Sequence, residues 1–555
     1  MRRFAALLLL SAFSLQPSTS HAQRPATPPP ATPRDRMADP IPAAELPPYV
    51  RTTPPSDPML QRLWDEGMSR SQASALAQVL MDRYGQRLTG SPESDAAQEW
   101  FVSQYTGWGV PARRERYGTW LGWSRGVSHL DLIGPRTRSL EATAMAWSPS
   151  TGRGARPTPI EGEVVAYPTG LSTPEAFDAW LPTVKGKFFA MNAPRLSCRS
   201  GAQWREFGTL EEQERVTAAQ NALQVEWNQL NVAMSGGRSV WEKLKDAGAL
   251  GVLTFQWSNY PGITKIFGSP NQTLPTFAVG CEDYGLLVRL ARNGQGPRVR
   301  AFTDSRRLGE RPVFNVVAEL KGVEKPNEYV ILSAHFDSWS AASGATDNGT
   351  GTITMLEALR ILKQVYPQPK RTILVGHWNG EEQGLNGSKA FTEDHPEVIA
   401  GAHLVLNQDN GTGRITSLSG GPIADAGPRV AGYLGALPGA LSQWIRYTPV
   451  GGQATGGSDH ASFACHKVAA LSLGALGWDY SNTTWHTDRD TYDKVVESDL
   501  RQNATLTAML AYLASEDPTP MGRTVVDPLP GGTNGQPGTW RPCTPATRAT
   551  PANGR

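Results

Sequence analysis

Residues 330–349 read VILSAHFDSWSAASGATDNG, and this stretch decides the fold. It begins with an apolar run typical of a buried strand and continues through His335 and Asp337. After a loop it reaches Asp347, directly before a stretch in which apolar residues between 353 and 362 recur on one face of a helix. A strand that leads through polar residues into a helix is the unit from which α/β proteins are built.

Three further apolar runs repeat this arrangement, each with acidic residues or a histidine behind it. The run 373–375 is followed by Glu381-Glu382, the run 404–406 by Asp409, and the run 468–473 by His486. Strands that alternate with helices predict an α/β fold, with a mixed, mostly parallel sheet and helices on both faces. Open sheets of this kind bind ligands beyond the carboxyl ends of their strands. The sequence therefore predicts one cluster of polar side chains at one sheet edge.

The residue types in this cluster predict a metal centre. Two imidazoles and three carboxylates are available: His335, Asp347, Glu382, Asp409 and His486. Mixed nitrogen and oxygen ligands favour zinc and its neighbours, and paired catalytic metals lie about 3.5–4 Å apart. Asp347 precedes a helix at a turn, and we expect it to bridge the two metals.

Two more acidic residues are predicted to assist the metal ligands. Asp337 lies two residues beyond His335 and is expected to accept the proton of the second imidazole nitrogen, which would orient that ring. Asp490 is expected to serve His486 in the same way. Adjacent residues such as Glu381 and Glu382 point in different directions, so we assign Glu382 to the metal and Glu381 to general-base catalysis.

These motifs together resemble the co-catalytic zinc aminopeptidase family, in the branch similar to plasma glutamate carboxypeptidase. The resemblance rests on His-x-Asp at 335–337, on GATDNG at 344–349, on GEEQG at 380–384, on Asp409 and on HTDRDT at 486–491. It implies the zinc exopeptidase fold and two zinc ions per chain. One zinc would be held by His335, Asp347 and Asp409, and the other by Asp347, Glu382 and His486. Segments near 185–187, 245–252 and 274–276 resemble an inserted, mainly β protease-associated domain.

The rest of the chain is divided by composition. Met1-Arg2-Arg3 and the apolar run after it predict a signal peptide over 1–22, too short to span a membrane, and hence a secreted or periplasmic protein. Pro-rich composition predicts a disordered linker over 23–56 and a disordered tail over 517–555. We expect the catalytic domain in two parts, 57–124 and 306–516, around a β module at 125–305 with a helical insertion near 196–238. Four cysteines allow three pairings, and Cys198–Cys281 is favoured because both lie in the middle module.

The expected activity is hydrolysis of amino-terminal residues from short peptides or dipeptides, with a water molecule between two zinc ions giving its proton to Glu381. The charge balance of 53 basic against 51 acidic residues excludes non-specific binding to nucleic acid or to an anionic membrane surface. The sequence does not fix the oligomeric state, and a homodimer stays open.

Four alternatives stay open at this level. A carboxypeptidase of the same fold, a single-zinc acyl transferase or cyclase, and a metal-free receptor-like homologue all fit the fold. The fourth is a serine hydrolase, because Gly122-Trp123-Ser124-Arg125-Gly126 matches the nucleophile-elbow pattern. That pattern needs a helix after the serine, whereas residues 127–133 indicate another strand.

Overall fold

The computed structural model describes residues 57–152, 156–269, 271–532 and 536–551. The signal peptide and the linker predicted for 1–56 lie outside these residues. Within the described ranges, no helix combines the length and the apolar character that crossing a membrane requires.

The strands of the described chain are numbered β1 to β16. They are Ala112–Ser124 (β1), Ser128–Gly134 (β2), Arg138–Ser139 (β3), Ala142–Ala144 (β4), Ile160–Ala166 (β5), Lys187–Ala190 (β6), Gly251–Thr254 (β7), Thr276–Val279 (β8), Arg298–Thr303 (β9), Arg306–Leu320 (β10), Lys325–His335 (β11), Arg371–Trp378 (β12), Ala402–Asn407 (β13), Ile415–Ser419 (β14), Arg446–Thr448 (β15) and Ala470–Ala475 (β16).

The α-helices are numbered in the same way. They are Pro58–Trp64 (α1), Ala73–Gln78 (α2), Pro92–Gly107 (α3), Pro174–Trp180 (α4), Gly201–Phe207 (α5), Leu210–Met234 (α6), Val240–Asp246 (α7), Cys281–Arg292 (α8), Thr350–Val365 (α9), Asn386–Asp394 (α10), Pro396–Gly401 (α11), Ala426–Ala436 (α12), Gly439–Ser442 (α13), His460–Ala464 (α14), Tyr480–Thr483 (α15) and Glu497–Glu516 (α16). Wider π-helical turns cover Asp65–Ser69 and Val79–Tyr84, and short 3₁₀ turns cover Leu181–Val184 and Tyr492–Lys494. The segment Ala345–Gly349 is an irregular turn in which Asp347 and Asn348 are not helical.

One mixed sheet carries the predicted site residues. Its strand order is β1-β10-β12-β11-β13-β16-β14-β15. The four central strands β12, β11, β13 and β16 run parallel. On one side of them β10 pairs antiparallel with β12 and with β1, and on the other side β14 pairs antiparallel with β16 and parallel with β15. The prediction of a mixed α/β sheet is confirmed.

Both faces of this sheet are covered by helices. Along β11, Val330 and Leu332 pack in the apolar cluster that contains α9 and α16, whereas Tyr329 and Ile331 pack in the cluster that contains α10, α11 and α14. Alternate residues of a strand point to opposite faces, so a strand covered on both sides reads as a continuous apolar run. This explains why the central strands could be predicted from apolar runs in the sequence.

A second sheet forms the middle module, with strand order β3-β2-β9-β5-β6-β7-β8-β4. The chain leaves the first sheet after β1 at Ser124 and returns to it at β10, which begins at Arg306. A disulfide joins Cys198 to Cys281 at the start of α8, which confirms that predicted pair. A second disulfide joins Cys465 to Cys543.

Two features expected from the sequence differ in the structure. The residues after 517 were predicted to be disordered, yet residues 536–551 pack on the catalytic domain, because Cys543 is covalently tied to Cys465 and Arg548 pairs with Glu393 and Asp394. The nucleophile-elbow pattern at Ser124 is not an elbow, since Ser124 ends β1 and the next element is β2, without a helix between them.

Candidate metal centre

The parallel strands bring the predicted ligands to one edge of the first sheet. His335 is the last residue of β11, and the turn after β12 carries Glu381 and Glu382. Asp409 follows β13 by two residues. Because β11 pairs in parallel with both β12 and β13, the carboxyl ends of these strands lie side by side. The loop after β16 adds His486 to the same edge.

The five predicted ligands form two groups that share Asp347. In the first group, His335 Nε2 lies 3.0 Å from Asp409 Oδ1 and 3.3 Å from Asp347 Oδ1. In the second, His486 Nε2 lies 2.9 Å from Glu382 Oε2 and 3.3 Å from Asp347 Oδ2. Each group therefore consists of one imidazole nitrogen and two carboxylate oxygens, and Asp347 gives one oxygen to each. His460 is in neither group.

The donor set fits two divalent metal ions. Imidazole nitrogen with carboxylate oxygen is a ligand combination of zinc and similar metals. Glu382 Oε1 and Asp347 Oδ2 are buried and have no hydrogen-bond donor in the described structure. Buried carboxylate oxygens are costly without a partner, so cations at these positions would satisfy them.

The electrostatics of the cluster point the same way. Burial raises the pKa of Glu381 and of Glu382 well above the usual carboxyl range, and the neighbouring carboxylates Asp409 and Asp347, respectively, raise it further. Burial would lower the pKa of His335, but Asp409 and Glu381 raise it well above its usual value. These directions show a cluster of buried carboxylates that favours bound positive charge.

The first orienting residue, Asp337, acts differently from the expectation. His335 Nδ1 lies 3.0 Å from the main-chain carbonyl oxygen of Asp337 and 3.7 Å from its carboxylate. The fully buried carboxylate instead accepts hydrogen bonds from the backbone N–H groups of Glu381, at 3.1 Å, and Glu382, at 3.3 Å. Asp337 therefore orients His335 through its backbone and holds the Glu381-Glu382 turn with its side chain.

The expectation for Asp490 was wrong. Its carboxylate accepts hydrogen bonds from the backbone N–H groups of Thr346, at 2.8 Å, and Asp347, at 3.0 Å. Asp490 thus fixes the backbone of the shared ligand and has no hydrogen bond to His486. The reason is the chain path, since the 484–490 loop turns back over the loop that carries Asp347.

Two basic residues near the site could not be identified from the sequence, because they lie in no motif. Arg87 is fully buried and donates hydrogen bonds to the carbonyl oxygens of Phe336 (2.7 Å), Ser343 (2.7 Å) and Gly344 (2.9 Å), which ties down both ends of the loop between His335 and Asp347. Lys265, from the middle module, donates to the carbonyl oxygens of Ser481 (2.5 Å) and Trp485 (2.6 Å). Both contacts join segments far apart in sequence, so only the folded chain reveals them.

Aromatic rings surround the second ligand group. The Trp485 ring stacks on the His486 imidazole at 4.0 Å between centroids, and the Phe267 ring forms a T-shaped pair with that imidazole at 4.9 Å. Burial lowers the pKa of His486 to about 4, so its imidazole is neutral at physiological pH, which is the form that binds a metal.

Comparison with known proteins agrees with this site. Residues 315–511 match the model of Peptidase family M28. Carboxypeptidase Q from Bos taurus is 26% identical over 346 residues, which cover 62% of this chain and 66% of that protein. Aminopeptidase NAALADL1 from Rattus norvegicus is 32% identical over 253 residues, which cover 39% of this chain and 33% of that protein. The matched region thus spans just under two thirds of the first relative and a third of the second.

A solved structure shares the fold over most of the chain. The peptidase M28 precursor from Shewanella amazonensis superposes with a TM-score of 0.61 at 22% identity, over 86% of this chain and 99% of that one. The matched family and relatives confirm the resemblance to the zinc peptidases of family M28, and the solved structure confirms the fold.

Proposed function

We propose that this chain is a two-zinc exopeptidase that removes the amino-terminal residue from short peptides. The observation that carries the proposal is the position of Asp347, whose two oxygens each lie 3.3 Å from a different imidazole. A carboxylate shared in this way is the arrangement that paired catalytic metals require. The first zinc would be held by His335, Asp347 and Asp409, and the second by Asp347, Glu382 and His486.

The two zinc ions, when bound, would polarise the scissile carbonyl and make a water molecule acidic enough to lose a proton near neutral pH. Glu381 takes that proton as the water oxygen attacks the carbonyl carbon. It returns the proton to the amide nitrogen as the carbon–nitrogen bond breaks. Burial raises the pKa of Glu381 above the usual carboxyl range, which favours a group that both accepts and releases a proton.

The direction of cleavage follows from the charges around the site. The cluster is rich in buried carboxylates, which attract a substrate's amino group and repel its carboxylate. Four basic side chains near the ligand loops already interact with other groups: Lys265 binds two backbone carbonyls, Arg414 pairs with Asp499, Arg489 contacts Glu141, and Lys389 is attracted by Glu393 and Asp459. A carboxypeptidase needs a fixed cation for the terminal carboxylate, and each of these four side chains is already engaged.

The experiment that tests the proposal combines metal analysis with matched peptides. Purified protein should contain about two zinc ions per chain, the number that a shared carboxylate serves. It should hydrolyse a dipeptide whose carboxyl terminus is amidated, and it should not hydrolyse the same dipeptide with an acetylated amino terminus. The opposite pair of results would make the protein a carboxypeptidase, and a single zinc without hydrolysis would favour the acyl-transferase alternative.

Export is part of the same proposal. The described structure contains two disulfides and no free cysteine, and disulfides persist in oxidising compartments. Fractionation of cells that express the full chain would test it, with the activity expected outside the cytoplasm.

A further inference from the structure

A cavity of about 340 Å³ lies beside the second ligand group. Its walls include four aromatic side chains, Trp120, Trp147, Phe267 and Trp339, together with Glu382 and Thr550. Glu382 is one of the residues proposed to hold zinc, so this cavity opens directly onto the reaction centre. Among the described residues that line it, Glu382 is the only ionisable side chain.

The wall at Thr550 comes from the end of the chain. Thr550 Oγ1 accepts a hydrogen bond from the backbone N–H of Leu121 at 2.5 Å, and the carbonyl oxygen of Arg548 accepts one from the N–H of Thr119 at 2.8 Å. Strand β1 is the outermost strand of its sheet and pairs only with β10 along the described chain. The terminal segment therefore lies along the open edge of β1, where its backbone groups would otherwise lack partners.

Contacts made by residues 546–548, just before Thr550, also hold this segment in place. Arg548 forms ion pairs of 2.8 Å with Glu393 and with Asp394, at the end of α10. The backbone N–H of Ala546 donates to Glu393 at 2.7 Å, and that of Thr547 donates to Asn386 at 3.0 Å. The disulfide between Cys465 and Cys543 ties the segment to the catalytic domain just before these contacts.

Gly118 shows how closely the segment approaches β1. A Cβ atom built on Gly118 would collide with the carbonyl oxygen of Arg548. The absence of a side chain at this position is therefore a condition for the terminal segment to sit where it does. Substitution of Gly118 offers a way to displace the segment while every residue that lines the cavity stays unchanged.

We propose that residues 543–551 form a fixed wall of the pocket that receives the side chain of the substrate's amino-terminal residue, and that this pocket selects large apolar side chains. The inference rests on the proposed function, since it requires a substrate with a free amino terminus at the adjacent metal centre. Aromatic walls bury apolar surface well, and Glu382, the one ionisable side chain among the described lining residues, is already a proposed zinc ligand. A charged substrate side chain would therefore find no free opposite charge in the pocket. A short side chain such as that of alanine would not reach the wall at Thr550.

A truncated chain that ends at Pro545 tests the wall. The ratio of kcat/KM for phenylalanyl over alanyl anilide should fall by about tenfold, because part of the apolar burial of the large side chain is lost. The alanyl substrate and the zinc content should change less than twofold. An unchanged ratio in the truncated enzyme would overturn the proposal.

Gly118→Val should displace the segment in the full-length chain and reproduce this loss of selectivity even if the truncated chain does not fold. Gly432→Ala is the matched control, because Gly432 is exposed on α12 and has nothing within reach of a new Cβ atom. Failure of the proposed function and failure of the proposed wall would give different results. A wild-type enzyme that hydrolyses neither the anilides nor the dipeptide with an amidated carboxyl terminus refutes the proposed function. Equal binding of phenylalaninamide by the wild type and the truncated chain in calorimetry refutes the wall.

Discussion

The backbone N–H of Ile266 donates a hydrogen bond to the carbonyl oxygen of His486, at 2.7 Å. Ile266 belongs to the middle module and His486 to the catalytic domain, so one domain holds a proposed metal ligand of the other. His486 has a φ of +54°, a backbone conformation that residues other than glycine rarely adopt and that costs about 1–3 kcal/mol. The contacts from Ile266 and the neighbouring Lys265 offset this strain, so the middle module contributes to the metal centre without supplying a ligand.

The first prediction concerns Lys265. Lys265→Met should release the carbonyl oxygens of Ser481 and Trp485 and loosen the His486 loop, so the second zinc should dissociate more readily than the first. After dialysis against a weak chelator we expect about one zinc per chain, against about two in the wild type. Lys245→Met is the control, since Lys245 is exposed on α7 of the same module. Full zinc retention in Lys265→Met would show that the loop does not need this support.

The second prediction separates the general base from the ligands. Glu381 is in neither ligand group, whereas Glu382 lies 2.9 Å from His486. Glu381→Gln should lower kcat by about two to four orders of magnitude, the usual effect of removing a positioned base. Zinc content, measured by mass spectrometry of the metal, should stay near two. Loss of zinc in this variant would make Glu381 a ligand.

The third prediction uses the shared position of Asp347. Asp347→Asn should weaken both metals together, because its carboxylate gives one oxygen to each group. Asp409→Asn should weaken only the metal beside His335, since Asp409 lies 3.0 Å from that imidazole and belongs to one group. Zinc titration of the two metal-free variants would resolve this difference. Equal behaviour of the two variants would contradict the sharing.

The grouping of the candidate ligands could be predicted because their positions follow from strand order. His335, Glu382 and Asp409 each come shortly after an apolar run, and parallel strands place such residues at one edge whatever the surrounding loops do. The position of Asp347 between the two groups was predictable from its place in the turn before α9. A local pattern was enough in these cases.

The supporting contacts could not be predicted, because they join segments far apart in sequence. Arg87 reaches the loop after β11 across about 250 residues, and Lys265 reaches the His486 loop across more than 200. Composition alone suggested a disordered tail, but one disulfide and the open edge of β1 order residues 536–551. Low apolar content prevents a segment from forming a hydrophobic core of its own, but it does not prevent the segment from packing on another surface.

The last prediction concerns acid stability and a buried histidine outside both ligand groups. His377 in β12 is fully buried, with Nε2 2.7 Å from the Tyr105 hydroxyl and Nδ1 2.6 Å from the Thr352 hydroxyl. A neutral imidazole has one N–H and one acceptor nitrogen, so one hydroxyl accepts and the other donates. The ring is therefore satisfied in its neutral form, as a buried core histidine requires.

Burial lowers the pKa of His377 to about 3 from an ordinary value of 6.5. At a pH between these two pKa values, the unfolded chain binds a proton at this residue and the folded chain does not. The free energy of unfolding must therefore fall as the pH falls below 6.5, by about 2 kcal/mol from this group at pH 5. In chelator, to remove metal effects, the urea midpoint of His377→Gln should fall less between pH 7.5 and pH 5 than that of the wild type. His129→Gln, which alters an exposed histidine on β2, should keep the full acid sensitivity. If His377→Gln lost as much stability on acidification as the wild type, His377 would not be a source of the acid sensitivity.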